Sequence, residues 1–320
     1  MLDHIHIQNY RLFKDLKIDK LGQVNLIAGK NNTGKTALLE AIRILINKCS
    51  FEIITNTIFM RGDLDKSKPL ESMATLFGNS KPFHKIGEDY TFKLNDLGWG
   101  ITVTKSGMIK RHLGNPGVTT MTGEIVDFFN YEHPSDETMY VPFKSDMDLG
   151  IRTNYWEKIE FNPIERQKVV DFLNIISPQK ITQISISNAI TRVQLANGQI
   201  EKLTKWGDGA NRLLTIALAL VNAKDKTLLI DEFEVGLHHS LQKQLWEIIF
   251  KYSKEWNIQV FITTHSQDTL ENFYYIADRS ENAGIGNYFI LNKRKDEDVK
   301  AINFDFDELK LAIETNVELR

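Results

Sequence analysis

The residues best able to do chemistry stand in one short run, Gly29-Lys30-Asn31-Asn32-Thr33-Gly34-Lys35-Thr36-Ala37. Its spacing, G-x-x-x-x-G-K-[ST], lets the backbone wind tightly enough for its N–H groups to converge on phosphate oxygens, and the start of a helix adds a favourable dipole. In such a loop Lys35 meets the β- and γ-phosphates of a nucleoside triphosphate, and the Thr36 hydroxyl ligates Mg2+. A glycine turn without a ligand is the competing reading. It is disfavoured because an apolar run, Val24 to Ala28, precedes the loop and an amphipathic stretch follows it.

Two further segments carry groups that act on a bound triphosphate. Thr227-Leu228-Leu229-Ile230-Asp231-Glu232 puts adjacent carboxylates just past a continuously apolar run, where the ligand sites of parallel sheets gather. Asp231 suits an Mg2+-bound water, and Glu232 suits a general base that polarises the attacking water. His265 ends the next apolar run, Val260 to Thr264, and is expected at the same sheet edge, where an imidazole can hydrogen-bond a γ-phosphate. A fourth segment, Trp206-Gly207-Asp208-Gly209-Ala210-Asn211-Arg212, leads into a helix. Gly207, Asp208 and Gly209 read either as a cap or as N–H donors closing over a phosphate bound by another subunit; motif order favours the second.

The elements that must position these groups are an alternation of strands and helices. Residues 2–8 and 23–28 read as strands, and Thr36 to Asn47 as a helix with Leu38, Leu39, Ile42, Leu45 and Ile46 on one face. After the glycine-aspartate segment come a helix from Ala210 to Asn222, a strand from Thr227 to Ile230 and a helix from Leu241 to Tyr252. Strands at Ile258 to Thr263 and Tyr288 to Leu291 and a helix from Phe306 to Glu314 follow. Uninterrupted apolar strands between helices imply a mainly parallel sheet covered on both faces. Every proline lies between Pro69 and Pro178, so residues 1–50 and 181–320 are expected to form the framework and 51–180 an inserted lid or side lobe. Within that insertion Thr91 to Leu94 and Ile101 to Thr104 read as antiparallel strands and Ile164 to Ile176 as a helix. Asn197-Gly198 suits a tight hairpin between Val193–Leu195 and Ile200–Leu203.

Composition narrows the class. A formal net charge of −3 gives no chain-wide field for collecting nucleic acid, so direct binding would need a local patch such as Lys110-Arg111-His112 or Lys293-Arg294-Lys295. The single cysteine, Cys49, excludes an internal disulfide and fits a reducing, cytoplasmic setting. The longest uncharged apolar run, Leu213 to Ala223, is well short of the ~20 residues a membrane span takes, so no membrane role is expected.

Taken together, the motifs resemble the ABC-type ATPases of the chromosome-maintenance and DNA-repair kind, most closely the OLD-like proteins and the stand-alone group labelled family 15 among bacterial AAA-type ATP-binding proteins. Asn9-Tyr10-Arg11-Leu12-Phe13-Lys14-Asp15-Leu16 looks like that group's N-terminal signature, and Gly207 to Leu214 looks like its degenerate signature motif. Leu228 to Ser240 is similar to its Walker B and D-loop, and Ile262 to Leu270 to its switch-histidine segment. The resemblance implies an ABC-type head with an N-terminal antiparallel β part and an inserted lobe. It also implies a head-to-head homodimer in which each ATP lies between one subunit's Lys35 and Thr36 and the other's Gly207-Asp208-Gly209. Val235 to His238 would cross the interface, and Arg11 would approach the nucleotide. No glutamine occurs between Thr36 and Arg166, so the usual Q-loop residue lacks an obvious counterpart, its place falling either to a residue near Glu71 to Phe77 or to water. OLD nucleases carry a metal-dependent domain after the ATPase core. The 55 residues after His265 are few for such a domain, which leads to the expectation of a separately encoded, nuclease-like effector in anti-phage defence or DNA transactions.

Overall fold

The computed structural model describes residues 1–63, 75–76, 90–94, 99–103, 109–112, 119–123, 136–143, 145–175, 177, 179–187, 190–295, 297–315 and 317. Its central layer is a six-stranded sheet in the order β15-β14-β3-β13-β12-β8. These strands are β3 (Val24–Ala28), β8 (Thr138–Val141), β12 (Thr227–Ile230), β13 (Gln259–Thr263), β14 (Gly286–Asn292) and β15 (Lys300–Phe304). All neighbours are parallel except the edge pair β14 and β15.

Burial on both faces explains the apolar runs. Side chains alternate across a strand, so Val24, Leu26 and Ala28 of β3 join one core with Leu228, Ile230, Val260 and Ile262, while Ile27, Leu229 and Phe261 face a second core. The second core holds α1 (Lys35–Ile46) and α2 (Phe51–Arg61), roofed by an antiparallel sheet, β2-β1-β4-β5-β6-β7. That sheet contains β1 (Ile5–Tyr10), β2 (Phe13–Ile18), β4 (Tyr90–Leu94), β5 (Trp99–Val103), β6 (Ile109–His112) and β7 (Thr119–Gly123). On the opposite face lie α3 (Ser145–Ile159), α4 (Pro163–Leu173), α5 (Asp208–Asn222), α6 (His239–Glu255) and α7 (Gln267–Ala277), with α8 (Phe306–Glu314) beside α7. A small sheet of β9 (Ile181–Ser187), β10 (Ile190–Leu195) and β11 (Ile200–Lys202) completes the chain. Among the described residues no helix is long and apolar enough to cross a membrane.

Residues 51–180, read as an inserted lobe, supply strands to both six-stranded sheets. β8, inside the expected lobe, pairs with β12, and its Met139 and Val141 share a core with Val24. Tyr155 of α3 braces that strand: its hydroxyl donates to the Tyr140 carbonyl (3.1 Å) and accepts from the Tyr140 N–H (2.7 Å). β4 extends the N-terminal sheet through β1. Proline content marked irregular connections but not which elements the framework recruits. The hairpin at Asn197-Gly198 also differs in detail. Only Gly198 takes a positive φ (+84°), and Leu195 bonds both the Gly198 N–H and the Gln199 carbonyl, which is a longer turn closed by a glycine bulge.

Candidate active site

The phosphate loop joins β3 to α1, with Gly29 (φ +148°), Asn32 (φ +64°) and Gly34 (φ +100°) supplying the left-handed backbone that turns it inward. Gly29 also permits a close approach: a Cβ there would stand 2.7 Å from the Leu291 carbonyl oxygen and 2.7 Å from Thr33 Oγ1. Because Leu291 lies in β14, that oxygen cannot withdraw. Gly29→Ala is therefore expected to lower stability by about 1–3 kcal/mol, read as a fall in thermal midpoint.

Lys35 is buried and donates from Nζ to the carbonyls of Gly29 (2.7 Å) and Lys30 (3.2 Å). Burial pushes its amine below the usual lysine range, against the pull of Glu232, Asp231 and Glu234. The Thr36 hydroxyl donates to Asp231 Oδ2 at 2.8 Å, and Thr263 Oγ1 donates to Asp231 Oδ1 at 2.6 Å. The Asp231 carboxyl is fully buried, and burial pushes its pKa upward. Glu232 follows in a left-handed conformation (φ +50°), its N–H bonded to Thr263 Oγ1. Burial and the Asp231 charge raise the Glu232 carboxyl as well. Arg212, buried at the start of α5, holds this peptide from the other side by donating to the carbonyls of Asp231 (2.6 Å), Glu232 (3.1 Å) and Pro142.

A cavity of about 810 Å3 is lined by Arg11, Asn31, Asn32, Gly34, Lys35, Thr36, Ala37 and Glu232 together. Gly29 and Thr33 shape the loop behind it. Asp231 reaches it through Thr36, and His265 stands two residues past Thr263 with its side chain 44% exposed. Gly207, Asp208 and Gly209 do not line this cavity in their own chain; a Cβ at Gly209 would lie 2.6 Å from the Gly236 carbonyl oxygen. The signature segment thus stacks on the expected D-loop. Arg11 lines the cavity with its Nε 3.1 Å from Glu40 Oε2.

Glu40 was not found by sequence reasoning. It is buried between Arg11 and Arg61 (Nε to Oε1 2.5 Å) and lines the same cavity. The signal was an acidic residue four places after Thr36, on the same face of a helix whose other charged residues are Lys35 and Arg43. The stretch read as a possible Q-loop replacement, Glu71 to Phe77, is described only at two positions. Thr75 and Leu76 meet Arg11 through their carbonyls, and the rest of that stretch lies outside the described residues. The strand end beside β12 belongs to β8, whose following Pro142 and Phe143 line the cavity.

A phosphate loop, a buried aspartate on its threonine and a glutamate in the same cavity, set on this sheet, define a P-loop ATPase with an ABC-type head. The chain belongs to the family described as "AAA domain, putative AbiEii toxin, Type IV TA system", whose model matches residues 104–271; a second model, "AAA ATPase domain", matches residues 1–110. An "ATP/GTP phosphatase" of Helicobacter pylori is 26% identical over 85% of this chain and 87% of its own length. The fold is that of SMC heads. A SmcHead bound to the C-winged helix domain of ScpA superposes with a TM-score of 0.63 at 13% identity, covering 95% of this chain and 98% of that one. The SMC head domain from Thermotoga maritima gives 0.53 at 12% identity, covering 95% and 99%. The protein is accordingly an enzyme that hydrolyses ATP.

Proposed function

We propose that this ATPase works as a Mg2+-dependent homodimer with shared nucleotide sites, and that its closure controls a separately encoded effector in anti-phage defence or DNA transactions. One observation carries the dimer. Lys35, Thr36 and Glu232 line a common cavity, while Gly207-Asp208-Gly209 stack on Gly236 outside it, so a second chain is needed to bring these N–H donors over a triphosphate. The effector and its setting rest on the resemblance to OLD-like proteins, supported by a family description that names a toxin of toxin–antitoxin systems.

The donor set fits Mg2+: a hydroxyl and a buried carboxylate are hard oxygen ligands, and a cation would compensate the charge that burial disfavours on Asp231. Thr36 and Asp231 would hold the ion, which would supply charge neutralisation along the triphosphate. The loop N–H groups and Lys35 bind and orient the β- and γ-phosphates. Glu232 takes the proton of the attacking water, its carboxylate fixed by the peptide that Thr263 and Arg212 grip. His265 hydrogen-bonds the γ-phosphate.

The test mixes Lys35→Ala subunits with Gly209→Arg subunits. Each homodimer is expected to be inactive, whereas a heterodimer regains one intact site and about half the wild-type turnover per dimer if sites act independently. Purified heterodimers without recovered turnover would count against shared sites.

A further inference from the structure

Glu234 is a carboxylate that the proposed reaction leaves unused, yet it sits 12% exposed against the histidine at the sheet edge. Its Oε1 accepts from the His265 backbone N–H at 2.8 Å and lies 2.9 Å from His265 Nδ1. Its Oε2 accepts from Thr264 Oγ1 at 2.8 Å, and the same Oγ1 accepts from the Ser266 N–H at 3.0 Å. One side chain from the turn after β12 therefore grips the backbone of the residue that ends β13 and the hydroxyl of its neighbour, and stands beside its ring. Carboxylates that orient an imidazole through one nitrogen fix which atom the other nitrogen offers to a ligand.

We propose that Glu234 is the positioning residue of His265: by accepting from the His265 backbone N–H and the Thr264 hydroxyl it holds this strand end so that the imidazole meets a phosphate oxygen. This rests on the reading of His265 as the γ-phosphate contact. The chemistry requires a carboxylate. A carboxylate accepts at both oxygens at once, from the His265 N–H at Oε1 and from Thr264 Oγ1 at Oε2. An amide at position 234 preserves shape and can still accept from the His265 N–H, but its NH2 cannot accept from Thr264 Oγ1. Glu234 does not line the cavity, and its charge also acts at a distance on Lys35 and Glu232, an effect that the double variant with His265 separates from positioning.

Steady-state ATP turnover and nucleotide affinity are compared for the full chain, His265→Ala, Glu234→Gln, Glu234→Ala and the double variant Glu234→Ala/His265→Ala. His265→Ala is expected to lower kcat by about 10²–10³-fold with ATP affinity within about threefold, the range of one lost transition-state donor. Glu234→Gln, which keeps the packing, is expected to lose at least tenfold in kcat, and the double variant to be no slower than about twofold below His265→Ala. Wild-type kcat in Glu234→Gln, or losses that multiply in the double variant, would overturn the positioning role. Wild-type turnover in His265→Ala would instead overturn the reading of His265, and with it this proposal. A 15N-histidine spectrum of Glu234→Gln with ATP bound adds a fold-independent readout: a His265 ring pattern unchanged from wild type counts against the role, and a changed one supports it.

Discussion

Glu232→Gln is expected to cut ATP turnover by roughly 10²–10⁴-fold while ATP affinity stays within a few-fold of wild type. The substitution is nearly isosteric and leaves in place what positions the residue, since the contacts to Thr263 and Arg212 are made by the backbone of position 232. What it removes is the only carboxylate on the cavity wall that also follows the Asp231 strand end. An amide cannot take a proton from water, so the loss falls on kcat and not on binding. Burial and the Asp231 charge raise the Glu232 carboxyl, so its basic form is lost on acidification at a higher pH than an exposed glutamate would require. Wild-type turnover should therefore decline on its acid limb earlier than an ordinary carboxylate predicts, and that limb should be missing from the residual activity of Glu232→Gln. Equal turnover in the two proteins would favour a slowly hydrolysing switch in which this residue is idle.

The parts of this site that could be read from sequence are those made by contiguous residues. The phosphate loop, the Asp231-Glu232 pair and His265 each follow a short apolar run, and such a run is the direct consequence of a strand buried on both faces. Their convergence follows from parallel pairing of β3, β13 and β12, which puts all three strand ends on one edge. β8 was missed because its residues Thr138 to Val141 form one brief strand in a proline-bearing stretch, and its place depends on pairing with β12 some 90 residues away in sequence. Glu40 and Arg61 were obscure for a related reason. A buried ion cluster drawn from a strand end and two helices has no sequence period, and each charge alone looks like a solvated surface residue. Glu234 stood in plain view between the acid pair and the D-loop, but only the fold brings it onto His265.

Asp231→Asn should separate stability from activity, abolishing Mg2+-dependent turnover while raising the thermal midpoint of the protein measured without nucleotide or Mg2+. The Asp231 carboxyl has no exposed surface, and its partners there are neutral hydroxyls of Thr36 and Thr263, with Arg212 and Lys35 contributing at longer range. Burial outweighs those contacts and raises the folded-state pKa above the unfolded value. The sign follows from linkage: a carboxyl that binds its proton more tightly when folded adds stability below its unfolded pKa and loses that contribution as pH rises through its raised folded pKa. At neutral pH the ionised form is the strained one, and asparagine removes the charge while its amide oxygen still accepts from Thr263. The gain should be read as an upward shift of about 2 °C for each kcal/mol recovered, and it should shrink toward acid pH as wild-type Asp231 itself protonates. The same charge is what the proposed Mg2+ ion at Thr36 would require, so turnover should fall by at least about 10³-fold, comparable to losing a principal electrostatic stabiliser of phosphoryl transfer. With saturating ATP and Mg2+ the order of stabilities should reverse, because only the wild-type protein gains from binding the metal nucleotide. A midpoint that drops in Asp231→Asn without ligands would mean that the buried carboxylate is already well compensated by its neighbours, and that its placement serves the fold and not the ion.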